Sequence, residues 1–131
     1  MLKTTTSLPQ DVENLIERTI GCCIEVHRAL GPGLLETIYS RAVCIELGHA
    51  GLGYEREKLI AVSYREELLC HQRLDVVVAS QLVLEIKSVE RLNPVYHAQI
   101  LNYMRLSKLR AGLLMNFNTP VLKDALKRFV L

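Results

Sequence analysis

Apolar positions recur along this chain at two spacings, and the change between them divides it. Val12, Leu15, Ile16, Thr19, Ile20, Cys23, Val26 and Leu30 keep a 3.6-residue period, which predicts a first helix of about five turns. Ser7, followed by Gln10 with Pro9 in the first turn, resembles a capping-box start. Gly31-Pro32-Gly33 ends the helix, because Gly accepts the left-handed cap and Pro cannot continue it. A second helix is predicted over 34–47, stopped by Gly48. On it Gly33, Glu36, Tyr39 and Val43 share one face, so Glu36 is expected to point toward the domain. Beyond the break at 48–53 the pattern becomes that of strands, at 54–64, 68–78 and 82–89, joined by turns at Arg65-Glu66 and Ala79-Ser80-Gln81. Asn93 and Pro94 cap and open a third helix that runs to about residue 109. Residues 111–117 read as a fourth strand covered on both faces, and 122–130 as a final basic helix. The order is that of one α/β domain over 9–131, with 1–8 as a flexible N-terminus.

Composition narrows the function classes. The chain has 131 residues, half of them hydrophobic, enough for one domain with a real core. No apolar run approaches the roughly 18 residues that cross a bilayer, and the first nine residues lack the apolar stretch of a signal peptide. A soluble, cytoplasmic protein without a membrane partner is expected. The formal net charge of +2 does not imply strong non-specific polyanion binding. Arg105, Lys108, Arg110, Lys123, Lys127 and Arg128 thicken the basic charge late, either as solvated helix faces or as a phosphate-facing rim. Cys22, Cys23, Cys44 and Cys70 form no CxxC pair and read as reduced thiols, the first three at apolar helical positions. Cys23 and His27 could face one metal, but no second ligand pair with zinc spacing follows. There is no Ser-His-Asp pattern and no glycine-rich phosphate loop. His97 lies about 200° round its helix from Gln99 and reads as a surface or structural residue.

The candidate chemistry sits on the third strand. Its sequence LVLEIKSV (residues 82–89) is that of a buried strand broken by Glu85 and Lys87, which share a face with Val83 and Val89. If 79–81 is a three-residue turn, Val78 opposes Leu82 and Asp75 opposes Glu85. Directly opposed Cβ atoms are about 4.5–5.5 Å apart, where like charges repel. A divalent cation would supply the missing counter-charge, and hard ions such as magnesium choose oxygen ligands. Lys87, beside them, could stabilise a developing anion or orient water, an arrangement suited to phosphodiester hydrolysis. The competing reading is a plain cross-strand salt-bridge lattice of Arg73, Asp75, Glu85 and Lys87 on a half-exposed sheet.

Four elements together resemble a known family. Gly33-Leu34-Leu35-Glu36-Thr37-Ile38-Tyr39 fits the pattern of the GxxExxY proteins, within the PD-(D/E)XK nuclease superfamily. Arg73-Leu74-Asp75 and Glu85-Ile86-Lys87 look like that superfamily's Asp and ExK elements, with Leu74 where Pro is expected. Gln99 and Tyr103, as QxxxY, are similar to a motif of its exonuclease branch. The resemblance implies a restriction-endonuclease-like core, a mixed four-stranded sheet flanked by helices, with an additional N-terminal helix. It implies Glu36, Asp75 and Glu85 as acidic metal-site residues, the Ile86 carbonyl as a further ligand, Lys87 as the catalytic lysine, and Gln99 and Tyr103 bordering the site. The expected activity is hydrolysis of nucleic acid, DNA ahead of RNA, with Mg2+ or Mn2+. The alternative is a non-catalytic or partner-dependent binding module on the same fold. On either reading a second copy or another protein could supply gripping surface that so small a domain lacks.

Overall fold

A computed structural model describes residues 8–131. Ser7, read as the first helix's cap, lies outside the described residues. Leu8, read as part of the frayed terminus, is buried in the core. The elements are α1 (Gln10–Leu30), α2 (Glu36–His49), β1 (Tyr54–Tyr64), β2 (Glu67–Val78), β3 (Leu82–Lys87), α3 (Pro94–Ser107), β4 (Ala111–Asn116), a 3-10 turn (Leu122–Ala125) and β5 (Leu126–Val130). The strands form one sheet in the order β1-β2-β3-β4-β5. β3 and β4 are parallel, joined across α3, while the other neighbours are antiparallel.

Two apolar layers sandwich the sheet. On one face Leu82, Leu84 and Ile86 of β3 pack with Ile16, Cys23 and Val26 of α1 and Tyr39, Val43 and Leu47 of α2. On the other, Val83 and Leu114 pack with Ile100, Tyr103 and Met104 of α3. Helices on both faces explain why every residue of β4 is buried and why its sequence carries no polar alternation. At Gly112 of β4 an added Cβ would lie 2.6 Å from Met104 Sδ and 3.1 Å from Ile100 Cδ1, so α3 approaches the sheet this closely because that position is glycine. Asn93 caps α3 as expected, its side chain accepting the Val95 N–H at 2.9 Å.

The final segment differs from the expectation. Residues 122–130 are not a helix but a 3-10 turn followed by β5, so the sheet has five strands rather than four. Lys123, Lys127 and Arg128 mimic the charged face of a helix. However, β4 would otherwise present an unpaired edge, and Leu126, Phe129 and Val130 reach the two apolar layers only from an extended chain. Among the described residues no helix is long and apolar enough to cross a membrane.

The two hairpins lack glycine, and their turns are made by non-glycine residues at positive φ: Arg65 (50°) and Glu66 (68°), then Ala79 (52°) and Ser80 (57°). The second turn sets Val78 against Leu82, the register expected from the sequence. That ladder is short. It pairs Val76–Val78 with Leu82–Leu84 and then stops, leaving the strands to part at Asp75 and Glu85.

Candidate active site

Where β2 and β3 part, two carboxylates replace the missing backbone ladder. Asp75 Oδ2 accepts the Ile86 N–H at 2.8 Å, and Glu85 Oε2 accepts the Asp75 N–H at 3.0 Å. Each acid thus binds the backbone of the opposite strand, which fixes both without an ion pair. Among the described residues neither lies within 4.0 Å of a cation, so the salt-bridge lattice does not form; Arg73 pairs with Glu57 instead. Glu85 is only 4 % exposed. Burial and then the neighbouring Asp75 push its carboxyl up to about 8, against the pull of the Asp75 N–H and Lys87. Burial likewise raises Asp75, partly offset by the Ile86 N–H and Lys87 and reinforced by Glu36 and Glu57. The two titrate as a unit and hold a proton where isolated carboxylic acids would have lost theirs.

The GxxExxY stretch brings Glu36 to the same place. Gly33 takes φ +98°, which a side chain strongly disfavours, and lets the chain turn from α1 into α2. Glu36 opens α2, where its negative charge suits the N-terminus, and its Oε2 accepts the Ser88 N–H at 3.4 Å just past β3. The Ser88 hydroxyl donates to the Leu34 carbonyl at 2.6 Å, completing the bridge between turn and strand. One turn on, buried Tyr39 stacks on Phe117 with ring centroids 4.6 Å apart. Its hydroxyl donates to the Gly31 carbonyl and accepts the Leu34 N–H at 3.1 Å. Tyr39 therefore holds the loop that aims Glu36. Tyr39→Phe leaves those two loop groups unpaired and is expected to cost about 1–2 kcal/mol in urea-denaturation stability.

Glu36, Asp75 and Ile86 line a cavity of about 210 Å³ together with residues the sequence did not single out, among them Ser40, Arg56 and Glu57. Glu57 sits at φ +58° within β1, a conformation costing on the order of 1–3 kcal/mol for a non-glycine residue. The β1–β2 ladder pairs Arg56 with Val76 and Lys58 with Leu74, skipping Glu57 and Asp75. Across that gap the buried side chains change face: Val76 joins the layer under α1 and α2, Leu74 the layer under α3. The irregularity in β1 is thus matched in register to Asp75. Nothing in the sequence announced it, since a positive φ at glutamate has no compositional signature. Asn116, also missed, clamps the segment after β3 by accepting the Val89 N–H at 3.0 Å and donating to its carbonyl at 2.8 Å.

The other candidates lie apart from this cavity. Lys87 extends toward α3, with Nζ 4.5 Å from the centroid of the Tyr96 ring, yet its charge still lowers both Asp75 and Glu85. Gln99 and Tyr103 share one side of α3 but border a different cavity, of about 490 Å³, with Val62, Cys70 and Gln72. There the Tyr103 hydroxyl accepts from Gln72 Nε2 at 3.0 Å. Cys22, Cys23 and Cys44 are buried thiols, Cys70 is exposed, and His27 is engaged with the Thr119 carbonyl at 2.8 Å.

The donor set fits a hard divalent cation. Buried Glu85 and half-buried Asp75 have proton affinities raised chiefly by burial, and a third acid, Glu36, is close enough to act on both. The described residues do not gather three acidic, His or Cys side chains into a ready cage. An ion held there would have two carboxylates and would need water or substrate phosphate for its remaining positions, a coordination that magnesium accepts.

Comparison with known proteins agrees with this geometry. A family model described as the PD-(D/E)XK nuclease superfamily matches residues 13–129, most of the chain, from the first turn of α1 into β5. No curated protein and no solved structure gives a match. A five-stranded mixed sheet with helices on both faces, an aspartate on β2 and an ExK on the adjoining β3 all lie within that span. The chain belongs to the PD-(D/E)XK nuclease superfamily.

Proposed function

We propose that this protein is a metal-dependent nuclease of the GxxExxY type, hydrolysing phosphodiester bonds of DNA, or failing that RNA, with Mg2+ or Mn2+. The observation that carries the reading is the pair of opposed carboxylates, each bound to the other strand's backbone and each short of a counter-charge. Asp75 and Glu85 would hold the ion, with Glu36 and the Ile86 carbonyl completing the protein's contribution. When bound, the ion would neutralise phosphate charge and make water a better nucleophile. Lys87 would then swing its ammonium from Tyr96 to the phosphate's developing negative charge. Gln99 and Tyr103, on α3 beside a separate cavity, would contact flanking nucleotides rather than the scissile group. The domain is small and its net charge only +2, so a second copy or another protein would extend its grip. Reduced buried thiols suit the cytoplasm as its compartment.

A binding module without catalysis is the second reading, favoured by the absence of a three-ligand cluster among the described residues. Cleavage decides between them. The purified protein is incubated with single- and double-stranded DNA and RNA, with magnesium or manganese, beside Glu85→Ala and Lys87→Ala. Cutting by the parent and by neither variant is expected. Binding of nucleic acid without cutting under every condition would support the module.

A further inference from the structure

We infer that Arg56 and Arg73 form a fork for one backbone phosphate of the bound strand, and that the Glu57 carboxylate occupies the phosphate's place in the free protein. This rests on the nuclease reading, because the fork opens on the same cavity as Glu36 and Asp75.

The geometry is that of a vacatable anion position. Arg56 Nη2 lies 3.8 Å and Arg73 Nη1 3.9 Å from one and the same oxygen, Glu57 Oε2. Both distances exceed a hydrogen bond, so two guanidinium groups converge on a carboxylate that satisfies neither. Two positive groups share one carboxylate oxygen and neither hydrogen-bonds to it, so an anion with oxygens at hydrogen-bonding distance can compete for them. The side chains of Glu57 and Arg73 are 45 % and 64 % exposed, so the contact is screened and easily exchanged. A phosphodiester offers two oxygens in the spacing that guanidinium groups bind in parallel.

Position favours a strand phosphate over a chance anion. Arg56 is steadied by Ser40, whose hydroxyl accepts from its Nε at 3.4 Å and which stands one helical turn after Glu36 on α2. Glu57 is held at positive φ opposite Asp75, so the fork is fixed in register with the carboxylate site. The cavity wall otherwise carries Glu36, Glu57 and Asp75, which alone would repel a polyanion. Lys87 is turned toward Tyr96, and the described cations that line the cavity are these two arginines.

The test is fluorescence anisotropy with a labelled single strand of roughly 20 nucleotides and its duplex, in EDTA, over a salt series. Excluding metal separates phosphate binding from hydrolysis and from any contact of Glu57 with an ion. Arg56→Ala and Arg73→Ala are each expected to weaken binding several-fold, and the two together to lower the slope of log K against log salt by about 0.7–0.9, the share of one phosphate. Arg56→Lys and Arg73→Lys, which keep charge and fold, should recover the slope but only part of the affinity. Glu57→Gln should tighten binding several-fold at low salt. Unchanged affinity and slope in the arginine variants, weaker binding by Glu57→Gln, or no binding by the parent would each overturn the fork. Binding that follows this pattern with no cleavage in metal sinks the nuclease reading alone. Cleavage with arginine variants that bind like the parent sinks the fork alone.

Discussion

Lys87→Ala is expected to lower the rate constant for strand cleavage by about 10²–10³-fold, the usual cost of removing one donor to transition-state charge. The same variant should keep its response to divalent cations in thermal melting, since Lys87 is not among the oxygen donors. The distinction follows from where the side chain lies. Its ammonium is 4.5 Å from the Tyr96 ring centroid, outside the cavity lined by Glu36, Asp75 and Ile86, yet its charge reaches both Asp75 and Glu85. A partly exposed contact of this kind is worth about 0.5–1 kcal/mol, small beside the attraction of a phosphate in a desolvated site. Lysine suits the task because its compact charge rides on a flexible stem and can leave the ring when substrate arrives. Single-turnover cleavage, run beside melting with and without magnesium, reads both properties. A Lys87→Ala protein that cleaves at the parent's rate would remove Lys87 from the chemistry.

The metal-free protein is expected to lose stability as pH rises from about 4.5 to about 8, and Glu85→Gln should flatten that loss. The Glu85 carboxyl is raised from its ordinary value of 4.5 to about 8, chiefly by burial and then by Asp75. Through this window the unfolded chain has released the proton and the folded one still holds it. The folded state binds more protons, so raising the pH favours unfolding. The contribution is complete below about 4.5 and gone above about 8, and its size is on the order of a few kcal/mol. Asp75, raised by burial, adds in the same direction. Glutamine keeps an oxygen for the Asp75 N–H while removing the charge, so Glu85→Gln should exceed the parent in stability near pH 8. Urea denaturation at pH 5 and pH 8.5 measures it. A parent that grows more stable across this range would mean that the pair is ionised without strain, and the case for a missing counter-charge would fall.

Much of this was legible in the residues. The register that opposes Asp75 to Glu85 followed from counting back across Ala79-Ser80-Gln81, and Val78 does pair with Leu82. What counting missed is that the backbone ladder ends one pair earlier, at Val76 and Leu84, and that the two acids then bind opposite backbones. Helical spacing suggested that Glu36 faces inward; its tie to Ser88 depends on a loop closed by Tyr39, which spacing cannot reveal. Residues 122–130 misled because Lys123 and Lys127 stand four apart as on a helix, whereas the deciding influence is the free edge of β4, a partner distant in sequence. Glu57 was silent because its importance lies in a backbone angle. Gln99 and Tyr103 do share a helix side, but the helix turns that side to a separate cavity.

The most direct measurement is calorimetric titration of the metal-free protein with Mn2+ near pH 8, for the parent, Asp75→Asn and Gln99→Ala. Saturable binding at one site is expected in the parent and in Gln99→Ala, with proton release as the carboxyl pair gives up what it holds. In Asp75→Asn the affinity should fall by about tenfold or more. No saturable binding by the parent, or equal binding by parent and Asp75→Asn, would contradict a cation site between β2 and β3.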